Sequence, residues 1–580
     1  MVIALIRTLL FIALAIVGPG LAAQRLIGVP LDPALVVPAG MALCAGAFWA
    51  ASATGVSVLF PLVVLGLTLA GLLRPGPWRR AEGPPIRGAL PVFAALIVLL
   101  AVTQYRWNRV GPDGSFLLDP FVAFDTAFHV GLARELVTGY PPQVPGVAGF
   151  PLGYHLGLDL VRAAALRWAA VDPYDSIARF DVTLLACALV LALRAAASAL
   201  GAGPLGVRLA GWTVVLTDFS FAFAANPQAH WWADLLRGNV LVSLALANPV
   251  VPALAMALGV AIALRHAQSS GDRRWVAVAA TLAAAVPCAL ATAALALGTG
   301  GATVGVSVAP LDLVRTTRDT LGLTPLHGAA LAGWAALWLV LSLGLRVLGL
   351  PAAARALLSA QPAAVALGAM ALAAWPIGLL FRVAAPEMLP GQRFVNDAAY
   401  VVEQGGPLLW LFACLALERL AARAPRGPLL VAALLAVLAL PSTLQFVAKK
   451  ATTEPDPIPA AMVRAARAVE AATVPGDVVL QRPGARYPPL PVLLAGRRVA
   501  YERFTPWLTQ FASRRDLEAR HAQVFRFFRT TDAAEARAIA AALHARAVCL
   551  YGGERLRFDP AGFLAPLHEE EGALCYRVAR

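Results

Sequence analysis

A chain of 580 residues could hold three or four soluble domains, yet 59% of its residues are hydrophobic and only 14% charged, against about a quarter charged in soluble domains. With a mean hydropathy of +0.72, the apolar side chains need lipid as their solvent, which excludes an ordinary soluble enzyme. The formal net charge of +14 is not a nucleic-acid signature, because the arginines cluster in short connections between apolar runs, where they set topology and meet anionic headgroups.

The N-terminal MVIALIRTLLFIALAIVGPGLAAQ is a span or, since LAA resembles a small-residue cleavage site, a signal peptide; its weak positive start and the many runs that follow favour a span. Apolar runs near 2–22, 33–52, 54–73, 89–104, 181–200, 208–224, 240–264, 275–297, 327–346, 362–381, 400–418 and 428–447 predict about twelve spans. A second span inside the weakly polar 275–310 stretch would invert everything after it. Arg74, Arg79, Arg80 and Arg87, then Arg194 and Arg208, then Arg265, Arg273 and Arg274, then Arg346 and Arg355, then Arg419, Arg423 and Arg426 all fall on one side of these spans. That side is read as cytoplasmic, so the 105–180, 225–239, 298–326 and 382–399 loops and the C-terminus face outward.

Beyond ATTEPDPIP the composition turns polar. Residues 448–580 alternate a helix (AAMVRAARAVEAA), strands DVVLQ and RRVAYERF, helices around 506–545 and strands AVCLY and ALCYRVA, the pattern of a small α/β domain without a nucleotide-binding glycine motif. The predicted fold class is therefore a polytopic α-helical membrane protein of about twelve spans with interfacial helices in a large outer loop and a small α/β C-terminal domain. Its divisions are additional transmembrane helices (1–88), a transmembrane module with outer loop 105–180 (89–447), and an extracytoplasmic domain (448–580). Cys44, Cys187, Cys288 and Cys414 sit in apolar runs as small hydrophobes, while Cys549 and Cys575 could pair in an extracytoplasmic domain.

The outer loop carries the chemistry. FDTAFHVGLARELVTG reads as an amphipathic helix that Asp125 is suited to cap, with His129 four residues on and Phe128, Leu132 and Leu136 on a buried stripe. After YPPQVPGVAGFPLG comes a second such helix, YHLGLDLVRAAALRW, with His155, Asp159 and Arg162 on one stripe; the two would roof a cavity at the membrane surface. Asp125 and His129 are the catalytic candidates, and plainer readings stand beside: Asp125 as a cap only, His129 as an interfacial histidine rather than a ligand or base, Asp119 before its proline as a turn residue, and His155, Asp159 and Arg162 as a structural network. Asp234 and Arg237 flank two tryptophans in NPQAHWWADLLRGN, with Asp218 as a competing acid, and Arg393, Asn396 and Asp397 form another outward cluster.

This loop, with many spans and a terminal soluble domain on the same side, resembles the GT-C superfamily of integral-membrane glycosyltransferases. FDTAFHVGLARELVTGYPPQVPGVAGFPLGYHLG is similar to a pattern in its bacterial members, with parallels in WWADLLRGNV, RFVNDAAY and LLAGRRVAYERF; the resemblance covers roughly 89–580. It implies transfer of a sugar from a polyprenyl-phosphate donor to a glycan, lipid or protein acceptor at the outer face of a plasma (inner) membrane, with Asp125 as the loop aspartate and candidate base. Two departures matter: Thr126 stands where the family often has a second acid, and three additional spans precede the loop.

The chemistry agrees, since inverting transfer needs a carboxylate to take the acceptor's proton and a cation to hold the leaving phosphate. Candidates for the second role are Arg134, Arg162, Arg237 and Arg393, with His155, Asp159 and Asp234 as further substrate-binding candidates. No histidines stand at zinc-ligand spacing, and cofactor use stays open, with a divalent cation (Mg or Mn) as the one candidate. The competing reading is a transporter or flippase of lipid-linked glycan or another solute, which should show repeated halves and acids within spans. A polymerase or ligase of similar architecture is not separable by sequence.

Overall fold

The structure, a computed structural model, describes residues 2–120, 123–154, 156–216, 250–283, 305–315, 324–384, 398, 406–505, 508–509 and 511–579. Long charge-poor runs fold as helices because a helix satisfies its own backbone groups where no water can. In chain order, α1 (Val2–Ile27), α2 (Pro33–Thr54), the shorter α3 (Leu59–Leu73) and α4 (Ile86–Thr103) precede the loop helices α5 (Ala123–Thr138) and α6 (Gly157–Ala169); α7 (Pro173–Ala199), α8 (Val251–Ser270) and α9 (Pro362–Leu380) follow. Among the described residues, α1, α2, α4, α7, α8 and α9 are long and apolar enough to cross a membrane, and the bent pair Gly328–Val340 and Gly344–Leu357 would make a seventh. Leu62, Leu73, Val98, Leu429 and Val437 are all more than half exposed, an apolar surface of the kind lipid covers.

Several runs read as single spans are shorter or broken. The 400–418 run begins outside the described residues, which hold a helix over Leu409–Ala421, and the 428–447 run appears as Gly427–Leu438 followed by Leu440–Thr452, Pro441 interrupting the ladder. The runs at 208–224, 240–264 and 275–297 lie partly outside the described residues.

Two short strands, β1 (Arg109–Val110) and β2 (Phe116–Leu118), open the outer loop, and β3 (Gly305–Val308) pairs antiparallel with β4 (Phe381–Ala384). The ATTEPDPIP segment is more than a tether: its Asp456–Ile458 forms β5, antiparallel to β2, with Phe116 opposite Ile458. The C-terminal region then holds α10 (Ala460–Ala472), β6 (Val478–Gln481), β7 (Arg498–Val499), α11 (Arg514–Arg529), α12 (Ala533–Ala542), β8 (Ala545–Tyr551), β9 (Leu564–Glu570) and β10 (Ala573–Val578). Its sheet runs β7-β6-β8-β10-β9, parallel on the β7-β6-β8 side and antiparallel beyond. β9 is a strand that the alternation in sequence did not signal, because LAPLHEE has only its first residue fully buried. Cys549 and Cys575, opposite one another on β8 and β10, are joined by a disulfide.

One apolar cluster spans both regions: Phe116, Leu118, Ala127, Val130, Tyr174 and Ile177 of the loop pack with Ile458, Val469, Leu490 and Leu493 of the C-terminal region. The loop after α5 also bonds to the β7 segment through its backbone. Val499 N–H donates to the Pro145 carbonyl, Ala148 N–H to that of Val499, and Glu502 N–H to that of Gly146, at 2.8–3.1 Å. Loop and C-terminal region thus share one core and one backbone ladder.

Candidate active site

α5 carries Asp125 into this junction. The described helix runs Ala123–Thr138 with Asp125 inside its first turn, so the carboxylate sits within the helix rather than at the cap position anticipated for it. The apolar residues ahead of Asp125 extend the helix beyond it. There Asp125 still meets the positive end of the helix dipole, and it is exposed while Thr126 to Ala133 are buried. Gly131 lets α5 come close: a Cβ there would lie 2.7 Å from Val492 and 3.0 Å from Pro145.

Across from Asp125 stand residues of the C-terminal region. Tyr487 lies within electrostatic range of Asp125, Glu502 and Arg503 and is hydrogen-bonded to Arg503, its hydroxyl pKa raised chiefly by burial. The Arg503 guanidinium sits 3.4 Å from the Tyr487 ring centroid and is exposed. Glu502 points the other way, into a small buried space with Ala127, Phe128, Pro145, Gly146, Pro488 and Val492. Its Oε1 has no hydrogen-bond partner, and burial pushes its carboxyl up to about 8, only partly opposed by Arg503. Gly146 is required beside it, since a Cβ would come within 2.2 Å of the carboxylate.

The expected stripes do meet, but as a buried chain of ion pairs. His129 Nδ1 lies 2.9 Å from Asp159 Oδ2, Asp159 Oδ1 accepts from Arg162 Nη1 at 2.8 Å, and Arg162 Nε donates to Asp181 Oδ2 at 2.6 Å. Asp159 and Arg162 are each 1% exposed. Burial pushes the Asp159 carboxyl up, but His129 and Arg162 outweigh it and hold it below its ordinary value. Arg162, with two carboxylates, is held above its ordinary value despite burial. Phe128 and Tyr154 pack edge-on, rings 5.1 Å apart, beside His129.

Arg134 faces the C-terminal region, donating to the Leu493 carbonyl at 3.3 Å and lying 4.0 Å from Asp172. One residue on, Glu135 accepts both bonds of the Arg498 fork at 2.7 Å. Asp119 is buried after β2, 3.9 Å from Lys450, with its N–H donated to Asn108. His155, Asp218, Asp234, Arg237, Arg393, Asn396 and Asp397 lie outside the described residues.

The structure therefore brings Asp125 within electrostatic range of Tyr487, whose ring carries Arg503, residues that sequence reasoning did not select. The signal was present in LLAGRRVAYERF, which contains Glu502 and Arg503, but nothing local to it points to Asp125. Among the described residues, no group of three or more His, Cys, Asp or Glu side chains is placed to hold a metal ion.

No protein-family model matches the chain, and no curated protein matches it in sequence. In structure it is similar to the oligosaccharyltransferase of Archaeoglobus fulgidus in its apo form, with TM-score 0.41 and 12% identity over 80% of this chain and 69% of that one. It is similar also to that enzyme tethered by a disulfide bond to an acceptor peptide containing the NVT sequon, with TM-score 0.39, 12% identity and the same coverage. A third similar structure is archaeal oligosaccharyltransferase AglB from Archaeoglobus fulgidus in complex with an inhibitory peptide and a dolichol-phosphate, with TM-score 0.41 and 10% identity over 80% of this chain and 69% of that one.

Proposed function

We propose that this chain is a multi-pass membrane glycosyltransferase of GT-C type, with about twelve spans, that moves a sugar from a polyprenyl-phosphate carrier to a glycan, lipid or protein acceptor at the outer face of a plasma membrane. The observation that carries the reading is Asp125, an exposed carboxylate in the first turn of a loop helix, with the Arg503 guanidinium beside Tyr487 across from it. A carboxylate facing a cation across a surface junction supplies both groups that inverting transfer needs.

In the proposed step the acceptor hydroxyl loses its proton to Asp125 as its oxygen bonds to the sugar's anomeric carbon. The bond from that carbon to the carrier phosphate breaks, and the phosphate leaves with the electron pair. Arg503 neutralises the charge that develops on it. The His129–Asp159–Arg162–Asp181 chain fixes how α5 and α6 cross, which sets the direction Asp125 faces.

Incorporation of labelled sugar from membrane-bound polyprenyl-phosphate donor tests this. Asp125→Asn should abolish incorporation while expression and membrane insertion stay normal. Arg503→Ala should lower kcat by about 10²-fold. Full incorporation by the Asp125→Asn chain would remove the base assignment.

A further inference from the structure

The opposite end of the bundle holds a cavity of about 1180 Å³. α2 and α4 begin beside it and run to Thr54 and Thr103 at the other end, while α7 starts at Pro173 by the loop and reaches it with Arg194. Its wall carries Arg79, Arg80, Arg87, Arg194, Arg208 and Arg265, drawn from the α3–α4 connection, the start of α4, α7, the helix Pro204–Trp212 and α8.

The acids in this wall do not balance them. Asp32 is committed: it accepts from Ala34 N–H at the start of α2 and holds His266 Nε2 at 2.8 Å. Glu82 is exposed and makes no ion pair among the described residues. Arg194 is also committed, donating to the Gly88 and Pro85 carbonyls and so fixing the α3–α4 connection against α7. That leaves Arg79, Arg80, Arg87, Arg208 and Arg265 without a carboxylate partner among the described residues. Topology alone calls for arginines on one side of a membrane. It does not call for five from four separate elements to converge on one space, where like charges repel unless an anion is shared.

We infer that this cavity binds an anion bearing two or more phosphates, gripped by Arg79, Arg87, Arg208 and Arg265. Guanidinium forks match phosphate oxygens two at a time, and basic pockets between spans suit lipid headgroups. Trp78, exposed and next in sequence to Arg79, is of the type that anchors at a headgroup layer. The chemistry is the same whether the phosphates belong to a two-phosphate lipid or to a soluble diphosphate. The inference does not depend on the reading of the Asp125 end.

The test uses the full chain, delipidated and reconstituted into phosphatidylcholine nanodiscs with or without cardiolipin. Native mass spectrometry counts retained cardiolipin, and labelled inorganic diphosphate is titrated in parallel. The wild-type chain should hold at least one probe, and Arg87→Gln/Arg208→Gln/Arg265→Gln should weaken it by roughly tenfold or more. Cardiolipin that excess diphosphate does not displace identifies a lipid site; diphosphate bound in phosphatidylcholine alone identifies a soluble ligand. A second measurement needs no variant: the bound probe should shield these arginines from phenylglyoxal in the wild-type chain. Failure of both probes to bind, unchanged binding by the triple variant, or equal modification with and without probe would each overturn the inference.

Discussion

At the Asp125 end, Glu135 meets Arg498, Asp159 is shared by His129 and Arg162, and Asp119 faces Lys450; at the other end, Arg79, Arg87, Arg208 and Arg265 line a cavity and make no ion pair with a carboxylate among the described residues. The difference separates two uses of charge. Buried and partnered, charges lock elements in one arrangement, because removing either partner strands the other in a poor solvent. Left facing an accessible space, they are available to a ligand. By that measure Asp125 and Arg503 at the first end, both exposed beside these buried pairs, belong with the charges open to a ligand.

Breaking a partnered charge should therefore be costly and breaking a cavity charge cheap. The largest effect is expected for Asp159→Ala, which leaves Arg162 with Asp181 and removes the carboxylate 2.9 Å from His129. A loss of about 3–5 kcal/mol should appear as a sharply lowered Tm in detergent, and a shift of a degree or less would break the comparison. Glu135→Ala should cost about 2–3 kcal/mol and be seen as faster protease cleavage of the C-terminal region from the loop.

Glu502 gives a pH signature. Its folded pKa of about 8 lies above the ordinary 4.5, so the folded state keeps a proton the unfolded chain releases. Its contribution to stability is complete below pH 4.5 and is lost as pH rises through 8. Tm should therefore fall between pH 5 and 8 in roughly the manner of one proton released, and Glu502→Gln should flatten that slope. The smallest effect belongs to the cavity: Arg208→Gln should leave stability within about 0.5 kcal/mol of wild type. A large loss there would mean that the arginine holds structure after all.

What the sequence revealed follows the range over which its signals act. Helical periodicity is local, and the two loop helices appear close to where their stripes put them, at 123–138 and 157–169. The alternation of DVVLQ and ALCYRVA likewise marks β6 and β10. His129 and Asp159 each had a stripe, but which side chain met which depended on how two helices crossed, a property of packing rather than of either segment. Asp181, the first residue of the 181–200 run, is a second partner for Arg162 for the same reason. Glu502 and Arg503 were hidden by distance along the chain, since only β7 lying against the loop brings them to α5.

The pairing of β2 with β5 sets an order of assembly. The loop leaves the ribosome long before Asp456–Ile458 exists, so β2 must wait, one edge open, through the synthesis and insertion of every later span. Contacts this distant in sequence close late, and an unpaired edge left waiting invites wrong partners. The junction around Asp125 is thus finished only once the chain through Arg503 has been made. A nascent or truncated copy would sit in the membrane with its helices placed and its chemistry not yet assembled, a built-in delay on when the protein can begin to act.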